Sequence, residues 1–507
     1  MVKDASLLGL NRPEYPPSRE LFISGLAWSL VSKEAEAGLD VIGKDGFAYR
    51  ELSAIATART KKKAKSGPAK IVCWTRPRPG SPQYEAAVDS VMHSRSMHER
   101  ADAEATLEIL LEEAEAPCSA KSKRAAATPL TLDTALLQDI RGITGKDNPA
   151  NLALILEKMY RLGGGQGSVA GQWVKAVRDA SPAGLPTWLK AVFSEIIPPE
   201  LKPAAKELQV EARQPKGLDS ARRPLWLAER NGTPYRWFAM TWDRLCSDGW
   251  IDAMPRRRWT DWAACVARTA LATGYMFEMH LYRRLCAALV TQTDPAQVVA
   301  EIFDDAQRMF SWDDLLQKSA ADVGPTMNQL AGSGTASMQL IASLIAESEK
   351  DKTFPSFPAP AEFDGRADGL EVWLAAARLS CSKVEGIKDR VTHSLAAPRA
   401  GGANNTWEMI RYSLLNRGTD GTSDLYGLLK AGGRYTWVEP GQEWLVTIGS
   451  LCAPAPRENC RLADLQVALR SLGIDASQRT VVARLESYGL ALSSHDADDA
   501  LEILPGF

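Results

Sequence analysis

Apolar residues recur three and four positions apart along most of this chain, the spacing of one helical face. Between residues 19 and 36, Ile23, Leu26, Ala27 and Leu30 lie near one face, with Val31 beside it. A short helix is predicted over 51–60, a strand over 70–75, and a long helical stretch over 84–115 whose second half is acidic. From 130 to 350 the pattern is a succession of helices: 132–140, 150–162, 168–180, 185–197, 235–248, 260–290, 295–309, 312–321 and 335–350. Asn148 and Pro149 have the residue types of an N-cap and a first helical position, and Pro182, Pro198 and Pro199 interrupt the run. Further on, helices are predicted over 369–382, 407–415, 425–431 and 443–451, with a strand over 434–438. No fixed repeat period is present, so the pattern predicts a mainly α chain built as an irregular helical array or bundle.

Two stretches lack apolar periodicity. Residues 117–129 are small and basic, and 353–360 alternate Pro with Phe, Ser and Ala, the composition of a stiff extended segment. They divide the chain into an N-terminal, mostly helical domain with a short strand (1–117), a helical central domain (130–350), a helical connecting region (361–442) and a small α+β domain (443–507).

The last of these has the sharpest signals. Leu462, Leu465, Leu469 and Leu472 fall at helical spacing, and Gly473 follows in the position that favours a left-handed cap. Asp475 or Ser477 can cap a second helix, whose inward face is Val481, Val482, Leu485 and Tyr488 before Gly489. Residues 490–492 and 500–504 then fit two short strands around a loop.

Helix, turn, helix and hairpin in this order resembles the winged-helix superfamily of helix-turn-helix folds. The likeness covers about the last tenth of the chain and rests on pattern rather than a diagnostic motif. In DNA-binding members the second helix of the pair enters the major groove. Its outward face here would show Ser477, Arg479, Thr480, Ala483, Arg484 and Ser487, of which Ser477, Arg479, Thr480 and Arg484 suit contacts to bases and phosphates. The loop Ser493-Ser494-His495-Asp496-Ala497-Asp498-Asp499 would repel phosphate. The fold type alone therefore leaves docking to protein open beside contact with DNA.

Composition narrows the classes. The chain has 507 residues, 45% hydrophobic and 24% charged, the balance of a globular protein with more than one sizeable core. A net charge of -2 excludes a polycation that coats nucleic acid, so any basic surface is local. No leader-like segment and no apolar run near ~20 residues is visible, so a cytoplasmic protein that does not enter the membrane is expected. The eight cysteines are scattered, with no C-x-x-C, and are expected to be reduced and buried as small apolar residues.

Three basic clusters are candidates for phosphate contact: Lys61, Lys62, Lys63 and Lys65; residues 121–124; and Arg256, Arg257 and Arg258. The third has Trp250, Trp259 and Trp262 beside it, a pairing of guanidinium groups with aromatic faces that suits stacking on bases or a protein partner. The same residues are equally those of a helix end whose tryptophans are core. Gly163, Gly164, Gly165 and Gly167 before a helix at Ser168 could cradle an anion, but lack the Gly-Lys-Ser/Thr ending of a P-loop and follow no buried strand, so a flexible helix–helix loop is expected. His280, within an apolar helix, reads as a core histidine. No catalytic, metal-binding or cofactor motif appears.

Two functions are expected from these features. The first is a non-catalytic DNA-associated scaffold, meeting double-stranded DNA through the basic clusters and the C-terminal helix pair. The alternative is a protein-interaction subunit of a multi-protein assembly, bacterial by the Ala- and Arg-rich composition, such as an anti-phage defence system. An enzyme whose site is assembled from distant residues is the third reading.

Overall fold

A computed structural model of the chain describes residues 7–10, 19–31, 77–116, 126–137, 152–182, 184–197, 201–210, 223–247, 249–415, 425–491 and 501–506. The first helices are α1 (Arg19–Trp28), α2 (Pro82–Arg95) and α3 (Arg100–Ala114), then a ribbon of β1 (Glu115–Ala116) against β2 (Ala126–Ala127). Next come α4 (Leu132–Ala135), α5 (Leu152–Leu162), α6 (Val169–Asp179), α7 (Thr187–Glu195), α8 (Lys202–Val210), α9 (Leu225–Ala228), α10 (Pro234–Cys246) and α11 (Trp250–Ala253). The long α12 (Arg256–Ala288) follows, then α13 (Pro295–Ala306), β3 (Phe310–Trp312) and α14 (Gly324–Gln329). A π-helical turn (Leu330–Gly334) leads straight into α15 (Thr335–Lys350). The remaining elements are α16 (Gly369–Cys381), α17 (Ile387–Leu395), α18 (Ala403–Leu414), a hairpin of β4 (Leu429–Gly432) and β5 (Tyr435–Val438), and α19 (Gln442–Ser450). Last come β6 (Cys460–Arg461), α20 (Leu462–Ser471), β7 (Ile474–Ala476), α21 (Gln478–Ser487) and β8 (Glu502–Ile503). The fold is mainly helical, as the periodicity predicts, and no helix among the described residues is long and apolar enough to cross a membrane.

The organising element is α12. It has 33 residues, about 50 Å of helix, and none of them is exposed. Its middle, 262–277, is apolar or small on every side apart from Arg268, and such a stretch is buried on every side. Against it pack α1, α5, α10, α13, α15, α17, α18, α19 and the π-turn. Small residues allow this crowding. A methyl at Gly274 would meet Met159 and Tyr235 at 2.8 to 3.1 Å. The π-turn approaches α12 more closely still: a Cβ at Gly334 would lie 2.7 Å from the Met279 Cβ and 2.9 Å from its carbonyl oxygen.

One hydrophobic cluster runs from Leu7 to Ile503. The stretch 353–360, expected to be a linker, takes part in it. Phe357 is buried edge-on against Trp373, with ring centroids 6.4 Å apart. The Trp373 indole donates to the Pro358 carbonyl at 3.1 Å.

Three local expectations are corrected. The stretch 84–115 is two helices, because Ser96 adopts a left-handed φ of 51° that ends α2. The helix expected over 312–321 is absent: Trp312 ends β3, and the Asp313 carboxylate accepts the Leu315 N–H at 2.9 Å. An aspartate that binds nearby backbone competes with the helix. The helix expected over 425–431 is a turn and the strand β4, which finds its partner in β5 and turns at Gly433, φ 59°. The expected strand over 70–75 and helix over 51–60 lie outside the described residues.

Candidate interaction surface

At the C-terminal end, β8 lies between β6 and residues 490–491. Cys460 pairs with Ile503 and Arg461 with Glu502, and Ala491 bridges Ile503, all antiparallel. Leu462, Leu465, Leu469, Val481 and Leu485 are buried. Gly473 and Gly489 take φ of 78° and 71°, the left-handed caps expected of them. Ser477 caps α21 by accepting the Thr480 N–H at 3.2 Å. The segment between the two helices is not a free turn. It is β7, which pairs in parallel with β3: Phe310 with Ile474, Ser311 with Asp475, Trp312 with Ala476.

That pairing decides what α21 can present. The residues after β3 fold over its first turns. Thr480 is buried, 3.4 Å from the Asp313 carboxylate, and accepts the Asp314 N–H at 3.4 Å. Arg484 is ion-paired with Asp314, and this pairing, set against burial, holds its guanidinium above its ordinary pKa. Of the four residues with base- and phosphate-contacting types, Thr480 and Arg484 are therefore engaged within the chain, and Ser477 is a helix cap. Arg479 is exposed, with no hydrogen-bond partner for its side chain among the described residues.

The segment bearing Asp313 and Asp314 also grips the hairpin. Asp322 accepts the Thr436 N–H at 2.9 Å, and Lys318 lies 4.6 Å from the centre of the Trp437 ring. Leu315 and Leu316 are left 69% and 41% exposed, an adjacent apolar pair in the chain between Asp314, which meets α21, and Lys318, which meets β5.

The Arg/Trp cluster at the start of α12 turns inward. Trp250, Trp259 and Trp262 are at most 1% exposed. Trp259 stacks on Trp173 at 6.3 Å and donates to the Leu245 carbonyl at 2.9 Å. Trp250 packs on Trp262 at 5.8 Å. The expectation of aromatic faces open to a ligand is corrected: the rings are core. Arg256 is buried too, and the one hydrogen bond of its side chain among the described residues reaches the Leu130 carbonyl at 3.4 Å. Burial lowers its pKa to about 10. Arg257 pairs with Asp261, and Arg258 with Glu443 while lying over Trp262 at 5.7 Å. Lys61, Lys62, Lys63, Lys65 and residues 121–124 lie outside the described residues.

The start of α6, not the glycine-rich loop before it, meets an acidic group, and that group is internal. The Glu157 carboxylate accepts from the Ser168 hydroxyl at 2.7 Å, the Val169 N–H at 3.0 Å and the Ala170 N–H at 2.9 Å. A helix N-terminus is thereby saturated by a buried side chain. Burial raises the pKa of Glu157 against the pull of those donors. His280 is buried with Nε2 3.1 Å from the Ile302 carbonyl, the satisfied core histidine expected.

Sequence reasoning missed a groove of about 690 Å³ between α15 and α17, floored by the π-turn and closed by residues 397–403. Arg390 is fixed in its wall by two bonds to Glu347, 2.7 and 3.0 Å, and one to the Ser343 hydroxyl, 3.1 Å. Gln339, Asp389 and His393 extend from the same walls, and their side chains make no hydrogen bond among the described residues. Ser343 also donates to the Leu340 carbonyl at 2.8 Å, so its hydroxyl is occupied by Arg390 and backbone rather than facing a general base. The one signal in the sequence was Leu330-Ala331-Gly332-Ser333-Gly334, small residues inside a helical pattern, which mark close packing. Among the described residues no group of three or more His, Cys, Asp or Glu side chains is placed to hold a metal ion.

Comparison with protein families, with curated proteins and with solved structures finds no match to this chain.

Proposed function

We propose that the protein is an interaction subunit of a multi-protein assembly, and that its C-terminal residues form a winged-helix-like module that docks protein rather than reading DNA. The observation that carries this reading is the engagement of Thr480 and Arg484 by Asp313 and Asp314. A helix that reads the major groove needs those side chains free. Charge supports the same reading. From 461 to 507 there are four Arg and no Lys against seven Asp and Glu, so the module repels a phosphate backbone. The order helix, strand, helix, strand, helix, strand, with the last strand laid against β6 and Ala491, supports the winged-helix likeness, although β7 replaces a free turn between the two helices, and the exposed Leu315 and Leu316 supply apolar contact area beside it.

The test pairs two measurements on the full chain. Co-expression with products of adjacent genes should yield a stable complex, and changing Leu315 and Leu316 together to Ser should weaken it at least tenfold. Binding to random duplex DNA should be undetectable at low and at moderate salt. Salt-dependent duplex binding that is lost in Arg479→Ala would sink the reading. It would favour the second one, a DNA-associated scaffold, for which the exposed Arg479 speaks.

A further inference from the structure

Cys452 and Cys460 meet at the root of the C-terminal module. Cys452 follows the end of α19, and Cys460 opens β6. Both sulfurs bind consecutive carbonyls of the same helix: Cys452 Sγ donates to Ile448 O and Cys460 Sγ to Gly449 O, each at 3.2 Å. Anchoring on adjacent carbonyls sets the two sulfurs side by side, close enough for each to shift the other's titration. Arg244 donates to the Leu451 carbonyl, which sets a guanidinium next to the pair.

We propose that Cys452 and Cys460 are a peroxide-oxidisable dithiol, closing reversibly to a disulfide that staples β6 to the end of α19. The adjoining Cys452 thiol, with help from Arg244, holds the Cys460 thiol below its ordinary pKa against the upward push of burial, while the Cys452 thiol is held well above its own by the neighbouring Cys460 and by burial. Asp464 opposes deprotonation of both. One sulfur is thus the nucleophile and the other keeps its proton, the division of labour a two-cysteine switch needs. The Cys460 thiolate attacks one oxygen of hydrogen peroxide. The O–O bond breaks, Cys460 becomes a sulfenic acid, and the hydroxide released takes up the proton that the thiol lost. Cys452 Sγ then attacks Cys460 Sγ, the S–O bond breaks, and water leaves with the Cys452 proton. Two thiols are oxidised by two electrons, and one peroxide is reduced to two waters.

The other buried pair shows the contrast. Cys286 and Cys381 are at most 2% exposed, and burial raises both thiols to about 11. Neither supplies a thiolate. Cys460 is itself only 5% exposed, but Cys452 is half-buried, and the turn joining the two is exposed at Arg457, which takes a φ of 67°.

The full chain, treated with hydrogen peroxide and then alkylated in denaturant, should give a peptide pair linked between Cys452 and Cys460, absent after dithiothreitol. Brief trypsin treatment at Arg457 gives a second readout. In the oxidised protein the fragment from Glu458 onward should stay attached on a non-reducing gel and separate on a reducing one. Cys452→Ser should abolish the link and leave Cys460 as a trappable sulfenic acid. Cys460→Ser should abolish both the link and the sulfenic acid. Recovery of both wild-type cysteines as alkylated thiols, or their oxidation to unlinked sulfinic acids, overturns the proposal. So does a sulfenic acid formed on Cys452 in Cys460→Ser as fast as on Cys460 in Cys452→Ser.

Discussion

Arg484 of α21 pairs with Asp314, 170 positions earlier in the chain, and this pair joins the last helical element to the segment that follows β3. The two side chains are 22% and 34% exposed, so solvent screens much of the attraction. A double-mutant cycle of Arg484→Ala and Asp314→Ala is expected to give a coupling of about 0.5–1 kcal/mol. Urea unfolding of the four proteins measures it. A coupling of zero would mean that the β3–β7 pairing alone holds α21 in place.

The contact between the π-turn and α12 is steric, and its effect is larger. A methyl at position 334 lands 2.7 Å from the Met279 Cβ and 2.9 Å from a backbone oxygen that cannot rotate away. Gly334→Ala is expected to destabilise by about 1–3 kcal/mol, the usual range for overpacking. Gly332→Ala, whose Cβ would meet the Ala397 carbonyl at 2.7 Å, should also reshape the groove beside Arg390. Gly365→Ala is the control, because its Cβ meets nothing within 4 Å. Equal urea midpoints for Gly334→Ala and Gly365→Ala would contradict the packing argument.

How much of this was legible follows from the kind of signal each feature leaves. Most helices other than α12 were, because one-sided burial imposes a period on Leu, Ile and Val. So were Gly473 and Gly489, because a left-handed cap selects glycine. The π-turn left only a run of small residues: Gly332 and Gly334 make room for neighbours after α17 and on α12, and nothing local says which neighbours those are. The segment after Trp312 was misread for a similar reason. Its apolar spacing suits a helix, but the edge of β7 and the Asp313 turn take it instead. The groove draws its walls from α15 and α17, more than 40 positions apart at Ser343 and Arg390, as their 47-residue separation shows.

Arg256 is the sharpest disagreement, since three consecutive arginines read as surface. The Arg256 side chain is 1% exposed, and its Nε and Nη2 have no hydrogen-bond partner among the described residues. A buried guanidinium with so little compensation is costly, and an apolar side chain of similar length is often better. Arg256→Met is expected to leave stability unchanged or raise it by about 1–2 kcal/mol, whereas Arg256→Ala should lower it by leaving a cavity. Thermal melts of both variants decide this. Loss of stability in Arg256→Met equal to that in Arg256→Ala would show that the charge itself holds α12 to the Leu130 carbonyl.

Glu278, also on α12, makes stability depend on pH in a direction opposite to an ordinary surface carboxylate. It is 3% exposed, and burial raises its carboxyl to about 8 against a pull downward from Lys158. In the unfolded chain the same group titrates near 4.5. Between those values the folded state holds more protons than the unfolded one, so stability falls as pH rises. The favourable contribution is complete below about 4.5 and lost through about 8. His280 works the other way. Burial lowers it to about 4 from 6.5, so its contribution is present above 6.5 and lost as pH falls towards 4. Comparing wild type with Glu278→Gln cancels the histidine and isolates the carboxyl. The variant should lack the slope and exceed wild type by a few kcal/mol, on the order of 2–4, at pH 8 relative to pH 5. Urea titrations at intervals across that range measure the difference. A flat difference would mean that Glu278 is ionised throughout and balanced by the Lys158 ammonium, and that α12 carries a charged pair at its centre.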